Sequence, residues 1–194
     1  MSARRRTRAS VGAVAATAAV AWLLAGAAPA GAAPGGGGGG LHGPVVTHPR
    51  MAPRDNPAGD VCPFGMHTEF PVADLTLRTW SNDAGDPVYA IESGPLVARV
   101  TNTGTGETVE RDISGTGSHT YPDKHTDILS GGDWAGVLHA GDEPANKLLI
   151  SRGYMSVKIT TKGDRTHREL LALDGEYEDL CETLDGGPER PPSS

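Results

Sequence analysis

The sequence predicts an all-β protein: a single antiparallel sandwich or small barrel of about eight short strands, with room for one short helix near the C-terminus. Turn residues recur about every eight to twelve positions and separate segments rich in β-branched side chains, which is typical of such folds. No segment shows a long helical period. Several segments alternate apolar and polar residues, as strands with one buried and one solvent-facing side do.

The first 32 residues are predicted to be a secretory signal peptide. Their basic start contains four arginines: Arg4, Arg5, Arg6 and Arg8. An apolar stretch follows over 11–27, and small-residue A-x-A steps lie at 28–30 and 30–32. Because this order is typical of a leader that is removed during export, we expect a secreted, extracellular protein.

The chain that follows the leader is strongly acidic. Four of the 17 Lys and Arg residues lie in the leader, which leaves 13 against 24 Asp and Glu and a formal charge of −11. Binding to nucleic acid needs clustered cations, so we expect no nucleic-acid partner. No second apolar run approaches the roughly twenty residues that span a bilayer, so we expect no transmembrane segment in the mature chain.

Composition divides the remainder into three parts. Residues 33–60 are rich in Gly and Pro and include six consecutive glycines, so they are predicted to be a disordered linker. Residues 61–185 have the length and composition of one all-β domain. Residues 186–194 are predicted to be a disordered tail.

Within the domain, the β-branched segments predict eight strands: 72–80, 88–93, 96–102, 108–113, 134–139, 148–152, 154–160 and 167–173. The alternation is clearest in 96–102 and 154–160. Turns at 102–106, 162–164 and 174–175 contain glycines that can supply the positive φ of hairpin connections. A short helix is expected within 176–184, with Asp174 as its cap.

The only two cysteines, Cys62 and Cys181, lie at opposite ends of the predicted domain. Because an exported protein meets an oxidising environment, we expect a disulfide between them; two free thiols are the alternative. The bond would close a loop of 118 intervening residues, for which the chain-entropy estimate is on the order of 4 to 5 kcal/mol.

The segment 118–127 carries side chains that could do chemistry: His119, Asp123, His125 and Asp127. They could bind a divalent metal, or one histidine could act as a general base oriented by an aspartate. The alternative is a solvated loop, since exposed loops are rich in His and Asp without forming a site. His139 is a further catalytic candidate, because it would line a cavity if the sheet closed into a barrel.

Short motifs run along 62–184: Cys62, Phe70-Pro71-Val72, the NTGTG turn at 102–106, the GGDW segment at 131–134, Arg152-Gly153 and Glu178-Asp179-Leu180-Cys181. In these the domain resembles a group of small secreted actinobacterial proteins of unknown function, which have an early cysteine, an FPV-type strand and a C-terminal D-L-C segment. The resemblance implies a secreted all-β domain, and it implies no activity.

Three functional hypotheses fit the sequence. The first is a non-catalytic extracellular module that binds a small molecule, a sugar or a protein. The second is a small secreted enzyme, a hydrolase or barrel-type isomerase, that uses the loop histidines. The third is a structural, envelope-associated protein without a ligand. No nucleotide-binding loop, nucleophile elbow or HExxH motif occurs, so no cofactor is predicted.

Overall fold

The computed structural model describes residues 40–186. The predicted signal peptide, the start of the predicted linker and the tail beyond residue 186 lie outside the described residues. Within them the chain forms three layers of antiparallel β-sheet, so the all-β prediction is confirmed. The described residues contain no helix with the length and apolar character needed to span a membrane.

The described residues form fourteen strands and one helix. In chain order the strands are β1 (His42–Thr47), β2 (Arg54–Asn56), β3 (Met66–Ala73), β4 (Thr76–Ser81), β5 (Pro87–Ser93), β6 (Leu96–Asn102), β7 (Thr108–Asp112), β8 (Thr116–Asp123), β9 (Thr126–Gly132), β10 (Ala135–Leu138), β11 (Lys147–Ser151), β12 (Tyr154–Lys162), β13 (Arg165–Asp174) and β14 (Tyr177–Asp179). The helix, α1, is Leu180–Leu184.

Sheet A has seven strands in the order β1-β4-β5-β8-β9-β12-β13. Sheet B has four, in the order β2-β3-β6-β7, and sheet C has three, in the order β10-β11-β14. The first and last strands of each sheet do not pair with each other in the described residues. The domain is therefore a layered sandwich, and of the two predicted alternatives the small barrel is not observed.

Sheet C is the middle layer, because its two faces belong to different cores. Leu148 and Ile150 of β11 pack in one core with Met66 of β3 and Val100 of β6. Leu149, which lies between them in the sequence, packs in the second core, with apolar residues of β12 and β13. Alternation along a strand sends neighbouring side chains to opposite faces. A single strand thus supplies both cores.

β10 shows the same division, as alternation along a strand requires. Leu138 belongs to the core against sheet A, together with Met155. Ala135 and Val137 pack against the core on the sheet B side. Gly136 allows the close approach to sheet A, since a Cβ at this position would lie 3.2 Å from Sδ and Cε of Met155.

The disulfide prediction is confirmed: Cys62 and Cys181 are bonded, with their Cα atoms 5.2 Å apart. Both are buried in the core between sheets B and C. The helix that carries Cys181 begins later than predicted. Asp179, rather than Asp174, is its N-cap, and the Asp179 side chain accepts a hydrogen bond from the backbone N–H of Cys181. Residues 177–179 instead extend sheet C as β14, which pairs with β11.

The linker prediction is wrong for part of 33–60, because β1 and β2 lie within it. Residues 45–47 are Val-Val-Thr, a β-branched run that pairs with β4. Side-chain contacts hold the strand at both ends: His42 Nε2 lies 2.6 Å from Oδ1 of Asp83, and His48 Nδ1 lies 3.2 Å from the carbonyl oxygen of Leu75. The Gly and Pro content around this run concealed it in the sequence.

Two further boundaries differ from the sequence prediction. The predicted strand 72–80 is two strands, because the chain leaves sheet B after Ala73 and enters sheet A at Thr76. The predicted loop over 118–127 is a hairpin of β8 and β9 with a two-residue turn, Lys124-His125.

The described residues contain six strands beyond the predicted eight, which makes fourteen; the six are β1, β2, β3, β8, β9 and β14. The alternation in 96–102 is confirmed, since Leu96, Ala98 and Val100 are all buried.

Candidate functional site

A cluster of titratable side chains centres on His119 in β8. Its Nδ1 lies 3.0 Å from Oδ2 of Asp127 in β9, and its Nε2 lies 3.3 Å from Oε2 of Glu92 in β5. The imidazole therefore stands between two carboxylates, one at each ring nitrogen. His119 is itself buried, with 9% of its surface exposed.

The strand register of sheet A brings these three residues together. His119 lies directly opposite Ala90 on β5 and Leu129 on β9. Glu92 and Asp127 are each two positions from those partners, so all three side chains project from the same face of the sheet. The cluster thus needs both neighbours of β8 in their observed register.

The two carboxylates control the charge of His119. Burial lowers the pKa of the imidazole, but hydrogen bonds to Asp127 and Glu92, with the negative charges of both, outweigh burial and raise the pKa to about 9. The ring is therefore an imidazolium at neutral pH, and it donates both N–H groups. An imidazolium has no lone pair with which to accept a proton, so His119 cannot act as a general base at neutral pH.

The Tyr121 ring lies beside the imidazole ring in an offset, nearly parallel arrangement. The two rings are stacked, with centroids 6.1 Å apart and planes 10° from parallel. Burial, with the charges of Asp127 and Glu92, raises the pKa of the Tyr121 hydroxyl above its usual range. The phenol therefore stays neutral, and its ring borders the cluster.

The structure separates the four residues that the sequence grouped as a metal or general-base site. His119 and Asp127 meet on the sheet face, whereas Asp123 and His125 lie at the hairpin turn. Asp123 accepts hydrogen bonds from the backbone N–H of His125 at 2.8 Å and from the hydroxyl of Thr126 at 3.0 Å. In residues 40–186 no three His, Cys, Asp or Glu side chains are placed so that they could hold a metal ion together.

His139 lies elsewhere, just after β10. Its Nδ1 is 2.9 Å from Oδ1 of Asp60, and its backbone N–H donates to the buried side chain of Asp142 at 2.6 Å. Burial raises the pKa of Asp60, but hydrogen bonds from His139 and Asn56 outweigh it and the net pKa is lowered. The carboxylate therefore holds the imidazole in one orientation.

A second candidate feature is β1, the strand at which sheet A ends. A recess of about 440 Å³ opens beside the start of this strand and is lined by Gly40, Leu41, Asn82, Asp83, Ala84 and Val88. Leu41, which lines the recess, and two valines further along β1 are more than half exposed: Leu41 at 61%, Val45 at 59% and Val46 at 52%. We call these three residues and the recess the β1 surface.

Sequence reasoning missed Glu92, Tyr121, Asp60 and the β1 surface. Glu92 did leave a signal, because in the predicted strand 88–93 it falls on the same face as Val88 and Ala90. An acidic residue on an otherwise apolar strand face indicates a buried partner. Asp60 lies in a turn next to Cys62, and nothing in its local sequence links it to His139.

The fold and these sites define a disulfide-linked, three-layer β-sandwich with an imidazolium clamped between two carboxylates. No protein family, curated protein or solved structure matches this chain.

Proposed function

We propose that the protein is an exported, non-catalytic interaction module that binds another molecule through the β1 surface. The observation that carries this proposal is the exposure of β1. All six of its residues are exposed, and two of them are the valines Val45 and Val46. Exposed apolar side chains on the edge strand of a sheet are typical of a contact surface.

Export is supported by two features of the chain. The leader-like sequence over 1–32 has a basic start, an apolar centre and small-residue cleavage steps. The Cys62–Cys181 disulfide is a bond that persists outside the reducing cytosol.

The state of His119 supports binding over catalysis. A general base needs a free ring nitrogen, and both nitrogens of His119 face carboxylates. The cluster is internally satisfied, so its simplest role is to join β5, β8 and β9.

The test is to purify the exported protein from culture medium and to identify retained molecules by mass spectrometry. We expect the wild-type protein to retain a small molecule, sugar or protein, and Val46→Lys to lose it. Leu171→Lys is the matched control, because Leu171 is 46% exposed on β13 at the opposite edge of sheet A. Equal retention by both variants, or a wild-type protein that neither retains a molecule nor associates with itself, would contradict the proposal.

One observation favours the enzymatic alternative, at His139. Asp60 orients the ring through Nδ1, and no hydrogen bond to Nε2 is found in the described residues. This is the arrangement of a base and its orienting carboxylate. If a turnover is found, this hypothesis requires that His139→Gln abolishes it while His125→Gln leaves it unchanged.

A further inference from the structure

The two valines of the β1 surface lie on a free strand edge. β1 is the terminal strand of sheet A and, within residues 40–186, pairs only with β4. Its other edge presents backbone N–H and C=O groups that no strand of the described residues takes up. Such an edge is a template for pairing with a further strand.

β1 also lacks the charges that usually protect an edge strand. Its sequence, HGPVVT, contains no Lys, Arg, Asp or Glu. The opposite edge of the same sheet, β13, carries four charged residues: Arg165, Arg168, Glu169 and Asp174. β7, an edge of sheet B, carries Glu110, Arg111 and Asp112. β10, an edge of sheet C, is uncharged as well, but its residues are buried or half-buried, whereas all six residues of β1 are exposed. Because natural edge strands are commonly blocked by charge or covered, β1 is the described edge left open to pairing.

The strand is held in place although its own side chains bury little. The side chain of Asp83 accepts from the backbone N–H of Gly40 at 3.3 Å and contacts His42 at 2.6 Å. The contact of His48 with the Leu75 carbonyl fixes the other end. A strand fixed in this way loses little conformational entropy when it binds.

We propose that β1 pairs antiparallel with β1 of a second copy of this chain, which joins two seven-stranded sheets into one. The inference rests on the proposed function, since it names the partner of the same surface. A two-fold contact places each residue near its own equivalent. Two copies of an acidic chain repel each other, so self-contact needs an uncharged strand, and β1 is one.

The residues of β1 suit a two-fold axis at Val46. Val46 then lies beside the partner's Val46 on one face, and Val45 lies beside the partner's Thr47 on the other face. All of these side chains are β-branched, and such cross-strand pairs stabilise sheets. Residues 45–47 already form regular pairs with β4, whereas Pro44 has no N–H to donate. This register therefore uses the regular part of the strand.

The test is sedimentation velocity on the purified, oxidised protein from low to high micromolar concentration. We expect a concentration-dependent dimer with the wild type. Val46→Lys would bring two ammonium groups together at the axis, so dimerisation should weaken by at least about tenfold. Leu171→Lys, the control on the opposite edge, should leave it unchanged. Mixing Val46→Lys with Val46→Glu should restore a dimer, because the two variants place opposite charges at the axis.

Three results would overturn the inference: a wild-type protein that stays monomeric, a dimer that Val46→Lys does not weaken, or equal weakening by Leu171→Lys. The proposed function can hold even if this inference fails. A monomer that still retains a foreign molecule, and loses it with Val46→Lys, would exclude the second copy as partner and leave the interaction module standing.

Discussion

Asp127 contacts His119 diagonally across the β8–β9 hairpin, with Oδ2 3.0 Å from Nδ1. The residue directly opposite His119 is Leu129, two positions further along β9. Because Asp127 takes Nδ1, Nε2 remains for Glu92 on the other neighbouring strand. The charge of one imidazole thus connects three strands of sheet A.

This arrangement predicts that the protein loses stability in alkali. The pKa of His119 in the folded protein is about 9, above its ordinary value of 6.5. The stabilisation is therefore complete below pH 6.5, and it is lost as the pH rises through 9. The shift corresponds to roughly 3 kcal/mol of unfolding free energy. Urea unfolding at pH 6, 7.5 and 9.5 measures the loss.

The matched variants are His119→Gln and His125→Gln. The first should flatten this pH dependence. The second should keep it, because His125 lies exposed at the hairpin turn. If His119→Gln retains the full alkaline loss, the pH dependence has another source.

The disulfide should supply a large part of the stability. It joins residues 119 positions apart in the sequence. Closing so long a loop restricts the unfolded chain, which is worth about 4 to 5 kcal/mol in the entropic account. We expect Cys62→Ala/Cys181→Ala to lower the unfolding free energy by about that amount in urea titrations. A loss below about 1 kcal/mol would show that the unfolded chain is not restricted in this way.

Gly94 should tolerate no side chain. It has φ of 137°, and a Cβ there would collide with the carbonyl oxygen of Asp74. Gly85 is the control, because it also has positive φ, 81°, but has open space where a Cβ would lie. Thermal unfolding should show a loss of about 1 kcal/mol for Gly85→Ala and more than about 3 kcal/mol for Gly94→Ala. Equal losses of stability in the two variants would mean that the positive φ, and not the collision with Asp74, determines the cost.

Arg111 in β7 and Glu178 in β14 form a two-point ion pair. Arg111→Lys should therefore destabilise the protein more than Arg99→Lys does. Arg111 donates from Nε and Nη2 to the two carboxylate oxygens of Glu178, at 2.7 and 2.8 Å. The hydrogen bonds from Arg111 are the main cause that lowers the pKa of Glu178. Lysine cannot make both contacts, so Arg111→Lys should cost about 1 to 2 kcal/mol.

The control for this pair is Arg99→Lys. Arg99 is more exposed and contacts Glu69 and Glu110 at 3.5 and 3.3 Å. The change should therefore stay within about 0.5 kcal/mol. Chemical unfolding of both variants measures the loss of unfolding free energy. Equal losses would contradict the importance of the two-point geometry.

Local sequence was enough to predict the strands whose patterns are local. The alternation of Leu96, Ala98 and Val100 predicted β6, and Gly163 and Gly175 adopt the expected positive φ at their turns. The disulfide could also be predicted from the sequence, because Cys62 and Cys181 are the only two cysteines. These features depend on neighbouring residues or on pairing rules.

The His119 cluster could not be predicted in the same way. Asp127 is close in sequence, but Glu92 is 27 residues from His119, and the two meet only because β5 pairs with β8. The segment around His119 is polar, so its pattern favoured a loop over a buried strand. Partners on neighbouring strands, rather than its own sequence, decide that His119 is buried and charged.

The position of sheet C between two cores affects how the protein unfolds. Leu149 and Ile150 are adjacent in the chain but pack on opposite sides of sheet C. β11 cannot loosen from one neighbour without disturbing its fit to the other. We therefore expect cooperative, all-or-none melting, with no stable half-molecule on the way.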